Sequence, residues 1–169
     1  LWDTTGNTTF GDSSYENVYI ANNGVLQFRD ATTVYGELNN TSWTIGKSDD
    51  ARTVITSTAI SMHSGKVSGT SYKRVAIDNT GKIAIGGAVG ADVSISTTDD
   101  VIRIEPDTGI TIFDSNADKL LLNSDGMTLT ENSQVRAIFG AVTAIGSAGA
   151  AVTTTSTDDV IRIANGTIS

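Results

Sequence analysis

The sequence predicts an all-β fold built from short strand–turn–strand units, with no significant helix. Two observations lead to this prediction. Short stretches such as 82–85 and 110–113 alternate between large apolar residues and small or polar ones, as strands with one apolar face do. Turn-forming sequences such as Asn23-Gly24 and Ser124-Asp125-Gly126 stand just before many of these stretches, and glycine supplies the positive φ of a tight turn.

The chain also repeats itself. Three Asp-Asp elements recur fifty and then fifty-nine residues apart, at Ser48-Asp49-Asp50, Thr98-Asp99-Asp100 and Thr157-Asp158-Asp159. Each follows a short alternating stretch, read as a strand (43–45, 93–96 and 152–154), and precedes a β-branched run with one arginine (52–55, 101–104 and 160–163). Reuse of one unit usually builds length or surface rather than a single pocket. The predicted divisions are an N-terminal β segment or the end of a preceding module (1–42), a first repeat (43–92), a second repeat (93–151) and the truncated start of a third (152–169).

The composition is poor in bulky apolar side chains. Aromatic residues make up only 6% of the chain, whereas Ser and Thr make up about a quarter of it. Ordering the backbone costs about 1–2 kcal/mol per residue, which a lone chain of this composition would struggle to offset. Stacking of repeats, or association of identical chains, would supply the missing burial. The Gly/Ala-rich stretches 84–91 and 139–151 fit either a crowded axis between chains or a flexible connector.

The charge balance limits the partners. Nineteen acidic and eleven basic residues give a net charge of −8 and a pI of about 4.4, which argues against nucleic acid. The chain has no cysteine, and hence neither disulfides nor thiolate chemistry. No apolar run approaches the roughly 18–20 residues that span a bilayer, so membrane insertion is not expected. The start at Leu1 and the end within the third repeat suggest a piece of a longer polypeptide.

The Asp-Asp pairs could bind Ca²⁺, which takes about six to eight oxygen ligands. Neighbouring residues of a strand point to opposite faces, so both carboxylates reach one ion only from a turn. We therefore expect metal-free, solvated turns whose carboxylates accept backbone hydrogen bonds and pair in part with a nearby arginine. Arg103 and Arg162 follow the second Asp by three residues. Arg52 follows by only two, so it is expected to lie on the opposite face and pair elsewhere.

No catalytic, cofactor-binding or metal-binding residue is predicted, and the chain is not expected to be an enzyme or to need a cofactor. His63 is the sole histidine and no Gly-x-Ser-x-Gly motif accompanies it, which indicates a surface residue at a strand end. Gly46-Lys47-Ser48 is similar to the end of a phosphate-binding loop, but Thr41 stands where that motif needs glycine. The segment 86–90 leads into a strand, unlike a dinucleotide-binding loop. The glutamates are too widely spaced to indicate a glycosidase pair: Glu16, Glu37, Glu105 and Glu131.

Several segments resemble the shaft and tip regions of bacteriophage tail fibres and related host-attachment proteins. The resemblance is carried by Gly-Val-Leu-Gln-Phe-Arg-Asp-Ala-Thr-Thr-Val-Tyr at 24–35, by 42–46 and 52–62, and by Lys-Arg-Val-Ala-Ile-Asp-Asn-Thr-Gly-Lys-Ile-Ala-Ile-Gly at 73–86. It covers most of 20–169, and its motifs are turn and strand patterns rather than catalytic signatures. The family implies a homotrimer of interwoven strands that adsorbs to a host surface. The sequence departs from the family in having no recognisable C-terminal knob or chaperone domain.

These observations together predict an elongated homotrimeric fibre, similar to a triple-stranded β-helix or β-prism, that mediates attachment to a host surface. The expected partners are further copies of the chain, other virion tail or baseplate proteins, and a host-surface glycan or protein receptor. The expected location is the extracellular virion tail. Two alternatives stay open: a cell-surface adhesin or extracellular filament subunit, and a fragment of a tailspike polysaccharide depolymerase.

The fibre hypothesis also predicts which residues form the core. Eight large residues are expected to face inward, with alternate Ser and Thr outward. They are Ile83, Ile85, Ile102, Ile104, Ile110, Ile112, Leu129 and Ile161.

Overall fold

The computed structural model describes residues 3–146, 151–155, 160–164 and 167–168. All regular secondary structure in these ranges is β, which confirms the all-β prediction: there are seventeen strands and no helix. Every pairing between these strands is antiparallel and joins two strands that follow each other in sequence. The strands Thr70–Asp78 and Ile83–Gly86, although consecutive and both described, do not pair. The chain divides into two compact units, the first formed by 1–80 with 89–94 and the second by 81–88 with 95–169.

The first unit contains eight strands that pair in chain order. They are β1 (Thr8–Gly11), β2 (Glu16–Ile20), β3 (Leu26–Asp30), β4 (Thr33–Leu38), β5 (Ser42–Gly46), β6 (Arg52–Thr56), β7 (Ala59–Val67) and β8 (Thr70–Asp78). Short connections join them, and the turn predicted at Asn23-Gly24 is present. Between β2 and β3, the Gly24 amide donates to the Ala21 carbonyl at 2.9 Å, and Gly24 has a φ of 84°.

The register gathers the large apolar side chains of the first unit on one face, because directly paired residues point the same way. Two rows of paired residues cross the strands. The first row is Ile20, Leu26, Leu38, Trp43, Ile55, Ile60 and Ile77. The second row is Phe10, Val18, Phe28, Gly36, Ile45, Thr53, Met62 and Val75. We call this surface the apolar face of the first unit.

The opposite face of the first unit is polar and bonded to itself. The Arg29 guanidinium lies over the Tyr19 ring, 3.6 Å from its centroid. Gln27 Nε2 donates to Glu37 Oε2 at 2.6 Å, and Asn39 Nδ2 donates to Glu37 Oε1 at 2.8 Å. These residues alternate with the apolar ones along the same strands, so the sequence alternation and the two faces correspond.

The second unit contains nine strands, again paired in chain order. They are β9 (Ile83–Gly86), β10 (Val101–Glu105), β11 (Gly109–Phe113), β12 (Lys119–Asn123), β13 (Gly126–Glu131), β14 (Gln134–Gly140), β15 (Val142–Gly146), β16 (Val160–Ala164) and β17 (Thr167–Ile168). Long loops separate β9 from β10 and β15 from β16. In the second of these loops, the Val152 amide donates to the Val135 carbonyl of β14 at 2.7 Å.

Two apolar rows also cross the second unit, and they define its apolar face. One row is Ile83, Ile104, Ile110, Leu122, Met127 and Phe139. The other is Ile85, Ile102, Ile112, Leu120, Leu129, Ala137, Ile145 and Ile161. All eight residues predicted to form the core lie in these rows, so the prediction that they share a face is confirmed.

Burial within the single chain differs from the predicted pattern. Five buried strand residues of the second unit lie on the face opposite its apolar rows: Ala84, Val101, Thr111, Phe113 and Ala144. Ala137 is the buried residue within the apolar rows, and Val152 is buried in a loop. We call this the mixed face, because Arg103, Glu105 and Lys119 lie there too. The expectation that the alternate positions hold mainly Ser and Thr is therefore wrong for this unit. Loop residues pass over this face. For example, Arg103 Nη1 donates to the carbonyl of the loop residue Thr97 at 3.5 Å.

The alternating stretches 93–96 and 152–154 are not strands, which corrects the sequence prediction. The Val93 amide donates to the Lys73 carbonyl at 3.0 Å, and Asp92 Oδ1 accepts from the Lys73 amide at 2.7 Å. These two bonds attach the loop to β8 at one point, and the chain turns again at Ile95. Val93 is fully buried, so its apolar character reflects packing rather than strand pairing.

Candidate functional site

The apolar face of the second unit is the most prominent candidate for an interaction surface. Its rows run without a charged residue from β9 to β16. Most of its large side chains are only half covered, with relative exposures from 38% at Phe139 to 57% at Ile161. Soluble monomers rarely expose a contiguous apolar surface of more than a few hundred Å², so this face indicates a binding partner.

The apolar face of the first unit has the same character. Its exposed large residues range from 36% at Ile60 to 59% at Phe10. Phe10, Phe28 and Tyr35 line a cleft of about 570 Å³ at one end of this face, with Glu16 and Asp30 among the lining residues. Covering the remaining area of each half-exposed side chain would contribute roughly 1 kcal/mol.

The first Asp-Asp element forms a turn bonded through its side chains. Asp49 Oδ2 accepts from Lys66 Nζ at 2.7 Å, and this contact lowers the pKa of Asp49 and raises that of Lys66. Asp50 Oδ1 accepts from the Ala51 amide at 2.8 Å and from the Lys66 amide at 3.2 Å. The prediction of carboxylates that accept backbone hydrogen bonds is confirmed for Asp50.

The predicted arginine partner is wrong for Arg103, and the predicted partner of Arg162 lies outside the described residues. Arg103 pairs with Glu105, two residues on along the same strand face, rather than with Asp99 or Asp100. Arg162 Nη1 reaches the Thr154 carbonyl at 3.4 Å. The third Asp-Asp element, Thr157–Asp159, lies outside the described residues, as do 147–150 of the second Gly/Ala-rich stretch.

Arg52 bonds to the Asp-Asp turn itself as well as to Ser71, so the expectation that it pairs elsewhere is only partly met, and Arg52 does not lie on the predicted face. Its Nη1 donates to the Asp50 carbonyl at 3.1 Å and to Ser71 Oγ at 3.2 Å. Thr53 and Ile55 take the apolar side of β6, so Arg52 lies on the polar face of its unit. Arg103 likewise lies on the non-apolar face of the second unit.

His63 lies in the middle of β7, opposite Arg52, and is partly buried, so its predicted place at a strand end on the surface is wrong. Burial lowers the pKa of His63, and the charge of Arg52 lowers it further, so the imidazole is neutral near pH 7. Ser61 Oγ lies 3.4 Å from Nε2, whereas the buried Nδ1 has no hydrogen-bond partner. A catalytic triad needs an acid that orients the second ring nitrogen, and the described residues place none there.

The structure also gives three of the four glutamates separate partners. Glu37 belongs to the polar network of the first unit, Glu105 to the Arg103 pair, and Glu131 lies 3.3 Å from Arg136 Nε. A glycosidase pair would need two carboxylates on either side of one cleft. The residues that sequence reasoning missed are instead on the mixed face, where alternation in 101–121 places cations beside an aromatic ring.

Chelation is expected to leave the melting temperature of the protein unchanged. The described part of the chain has no group of three His, Cys, Asp or Glu residues that could hold a metal ion. Asp49 and Asp50 already accept bonds from Lys66 and backbone amides. Thermal melts with and without EDTA measure this directly. A fall of many degrees that Ca²⁺ reverses would contradict the prediction and assign ion sites to the Asp-Asp turns.

The chain matches no protein-family model, no curated protein and no solved structure. Among the residues that the structure describes, no helix is long and apolar enough to cross a membrane. The function therefore has to be inferred from the geometry of the two apolar faces and of the surfaces opposite them.

Proposed function

We propose that this chain is a structural and adhesive segment of a viral, phage-like tail fibre that mediates attachment to a host surface. It works as an elongated homotrimer whose apolar faces are buried against one another. The observation that supports this proposal is that each unit carries rows of large apolar side chains on one face, many of them partly exposed to solvent. The resemblance of 20–169 to tail-fibre shafts points the same way.

Identical chains are the simplest partners for these faces. A partner needs apolar surface along nearly every strand of both units. A second copy of the chain has this surface because its sequence is the same. Closed symmetry about one axis lets each copy offer the same face to its neighbours. Three such walls around an axis form a prism, in which the Ile and Leu rows fill the interior and the opposite faces stay in water.

The adhesive part of the proposal concerns those opposite faces. On the polar face of the first unit, Arg29, Gln27 and Glu37 bond to one another, so this surface can stay hydrated when the apolar face is covered. The mixed face of the second unit carries Arg103, Lys119 and several threonines. A host receptor would meet the fibre on these surfaces.

Sedimentation velocity tests the assembly. The expected particle has three times the 17.6 kDa mass of one chain and a frictional ratio well above that of a compact sphere. The apolar faces favour this state because their exposed area is removed from water on association. A stable folded monomer at micromolar concentration, or a dimer, would contradict the proposal.

A further inference from the structure

A pocket of about 270 Å³ opens on the mixed face of the second unit. Arg103, Phe113 and Lys119, on three successive strands, contribute to its walls. Phe113 pairs with Lys119 across β11 and β12, and with Val101 across β10 and β11. The register places all these side chains opposite the Ile and Leu rows, so burial of the apolar face would leave the pocket open to water.

The charge of the pocket is opposite to that of the chain. The protein carries −8 overall, yet the described residues that line the pocket include two cations and no carboxylate. Glu105 bonds to Arg103, and this bond lowers the pKa of Glu105. Lys82 Nζ also lies 3.6 Å from Glu105, so one carboxylate serves two cations.

Lys119 is the cation left for a ligand. Its ammonium lies 5.8 Å from the centroid of the Phe113 ring, and none of the described carboxylates forms a salt bridge with it. The Arg103 guanidinium lies on the same ring, at 5.0 Å from the centroid. Because Glu105 already compensates the Arg103 charge, Lys119 is the group that would attract an anion beside this ring.

The remaining walls supply neutral hydrogen-bonding groups. They are the hydroxyls of Thr98, Thr108 and Thr111 and the amide of Asn116. Thr111 is almost completely buried, and Phe113 forms an apolar surface beside it. Leu121 completes the lining. Residues with hydroxyl and amide groups that share a pocket with a cation and an aromatic surface suit a ligand with several hydroxyls and one carboxylate.

We infer that this pocket binds a carboxylate-bearing sugar residue, with the carboxylate at Lys119 and the ring hydroxyls at the threonine and asparagine side chains. The volume suits one sugar ring rather than an oligosaccharide. The inference rests on the proposed adhesive function for its role, since it names the class of host glycan that the fibre would contact. The pocket itself is built within one chain, so its binding and the trimer mass are independent results.

Heteronuclear NMR titration with sodium glucuronate, glucose and acetate tests the inference on the whole chain. Glucuronate is expected to shift the amides of Thr111, Phe113 and Lys119 and to saturate. Glucose lacks the carboxylate and acetate lacks the hydroxyls, so each is expected to bind at least tenfold more weakly. If glucose bound as tightly as glucuronate, Lys119 would not recognise a carboxylate. If acetate bound as tightly, the hydroxyl groups of the sugar would not contribute; either result would overturn the inference.

Two lysine variants complete the test. Lys119→Gln is expected to weaken glucuronate binding at least tenfold. Lys66→Gln changes the net charge equally but lies in the first unit, and is expected to change binding less than twofold. Equal losses in both variants, or no loss in Lys119→Gln, would overturn the inference. If Lys119→Gln fails to fold, Thr111→Val replaces it, because this change removes one hydroxyl at nearly constant shape. Thr111→Val is likewise expected to weaken glucuronate binding at least tenfold, and no loss of binding would overturn the inference.

Discussion

Ile104→Asp is expected to abolish trimer formation. Ile104 pairs with Ile83 on one side and with Ile110 on the other, in a row of the apolar face of the second unit. In a trimer whose apolar faces meet, the substitution would bury an unpaired carboxylate in each chain, at a cost of at least about 3 kcal/mol per chain. Sedimentation velocity is expected to show loss of the species of three chain masses.

Val89→Asp is the matched control for this substitution. Val89 is also a branched apolar residue, but it is 90% exposed in a turn. The same gain of charge there buries nothing, so the control is expected to assemble and melt as the unchanged chain does. Normal assembly of Ile104→Asp would show that the apolar face of the second unit does not lie between copies.

Gly126→Ala is expected to lower the free energy of unfolding by about 3 kcal/mol or more, which for a chain of this size lowers the melting temperature by roughly 10 °C. Gly126 begins β13 with a φ of 126°, a conformation that L-residues with a side chain rarely adopt. An added Cβ would stand 2.0 Å from the Phe139 carbonyl oxygen and 2.9 Å from Gly140 Cα. Both atoms belong to the backbone of β14, so relief requires β13 and β14 to separate.

Gly69→Ala separates backbone strain from steric contact. Gly69 also has a positive φ, 84°, but a Cβ there would meet nothing within 4 Å. The control is therefore expected to cost only about 1 kcal/mol. Thermal and denaturant unfolding of both variants measure the difference. Equal stability loss in the two would show that the close approach of β14 contributes nothing.

The strands and their faces could be predicted because alternation and burial obey the same period of two. Ile102, Ile104, Ile110 and Ile112 alternate with other residues in the sequence, and they share one face in the structure. The stretch 93–96 alternates as well, yet it forms a loop. A short alternating stretch does not reveal whether its backbone forms the repeated hydrogen bonds of a strand pair or only one such bond. In 93–96, Val93 forms one backbone hydrogen bond, to the Lys73 carbonyl.

The Arg103 partner differs from the prediction because a spacing of three residues to the Asp-Asp turn does not place two side chains on the same face of a strand. Residues two apart on a strand share a face, so Arg103 meets Glu105 and not the turn that precedes it. Arg162 has Ala164 at the equivalent position, and Arg52 has Val54. Neither side chain finds a carboxylate there, and both donate to loop carbonyls instead. The pocket beside Phe113 could not be predicted, because it depends on three strands and two turns meeting in one register.

Pairing of each strand with its sequence neighbour also bears on how the protein folds. Contacts in both units are mostly between residues close in the chain, a low contact order that favours rapid folding. The β7–β8 hairpin is a natural starting point, because it has the longest strands and a two-residue turn, Ser68-Gly69, with φ of 52° and 84°. Strands β6 to β1 can then add in turn to the free edge of β7. Because β9 does not pair with β8, the second unit needs a hairpin of its own to begin. Such a chain can begin to fold while its later strands are still being synthesised.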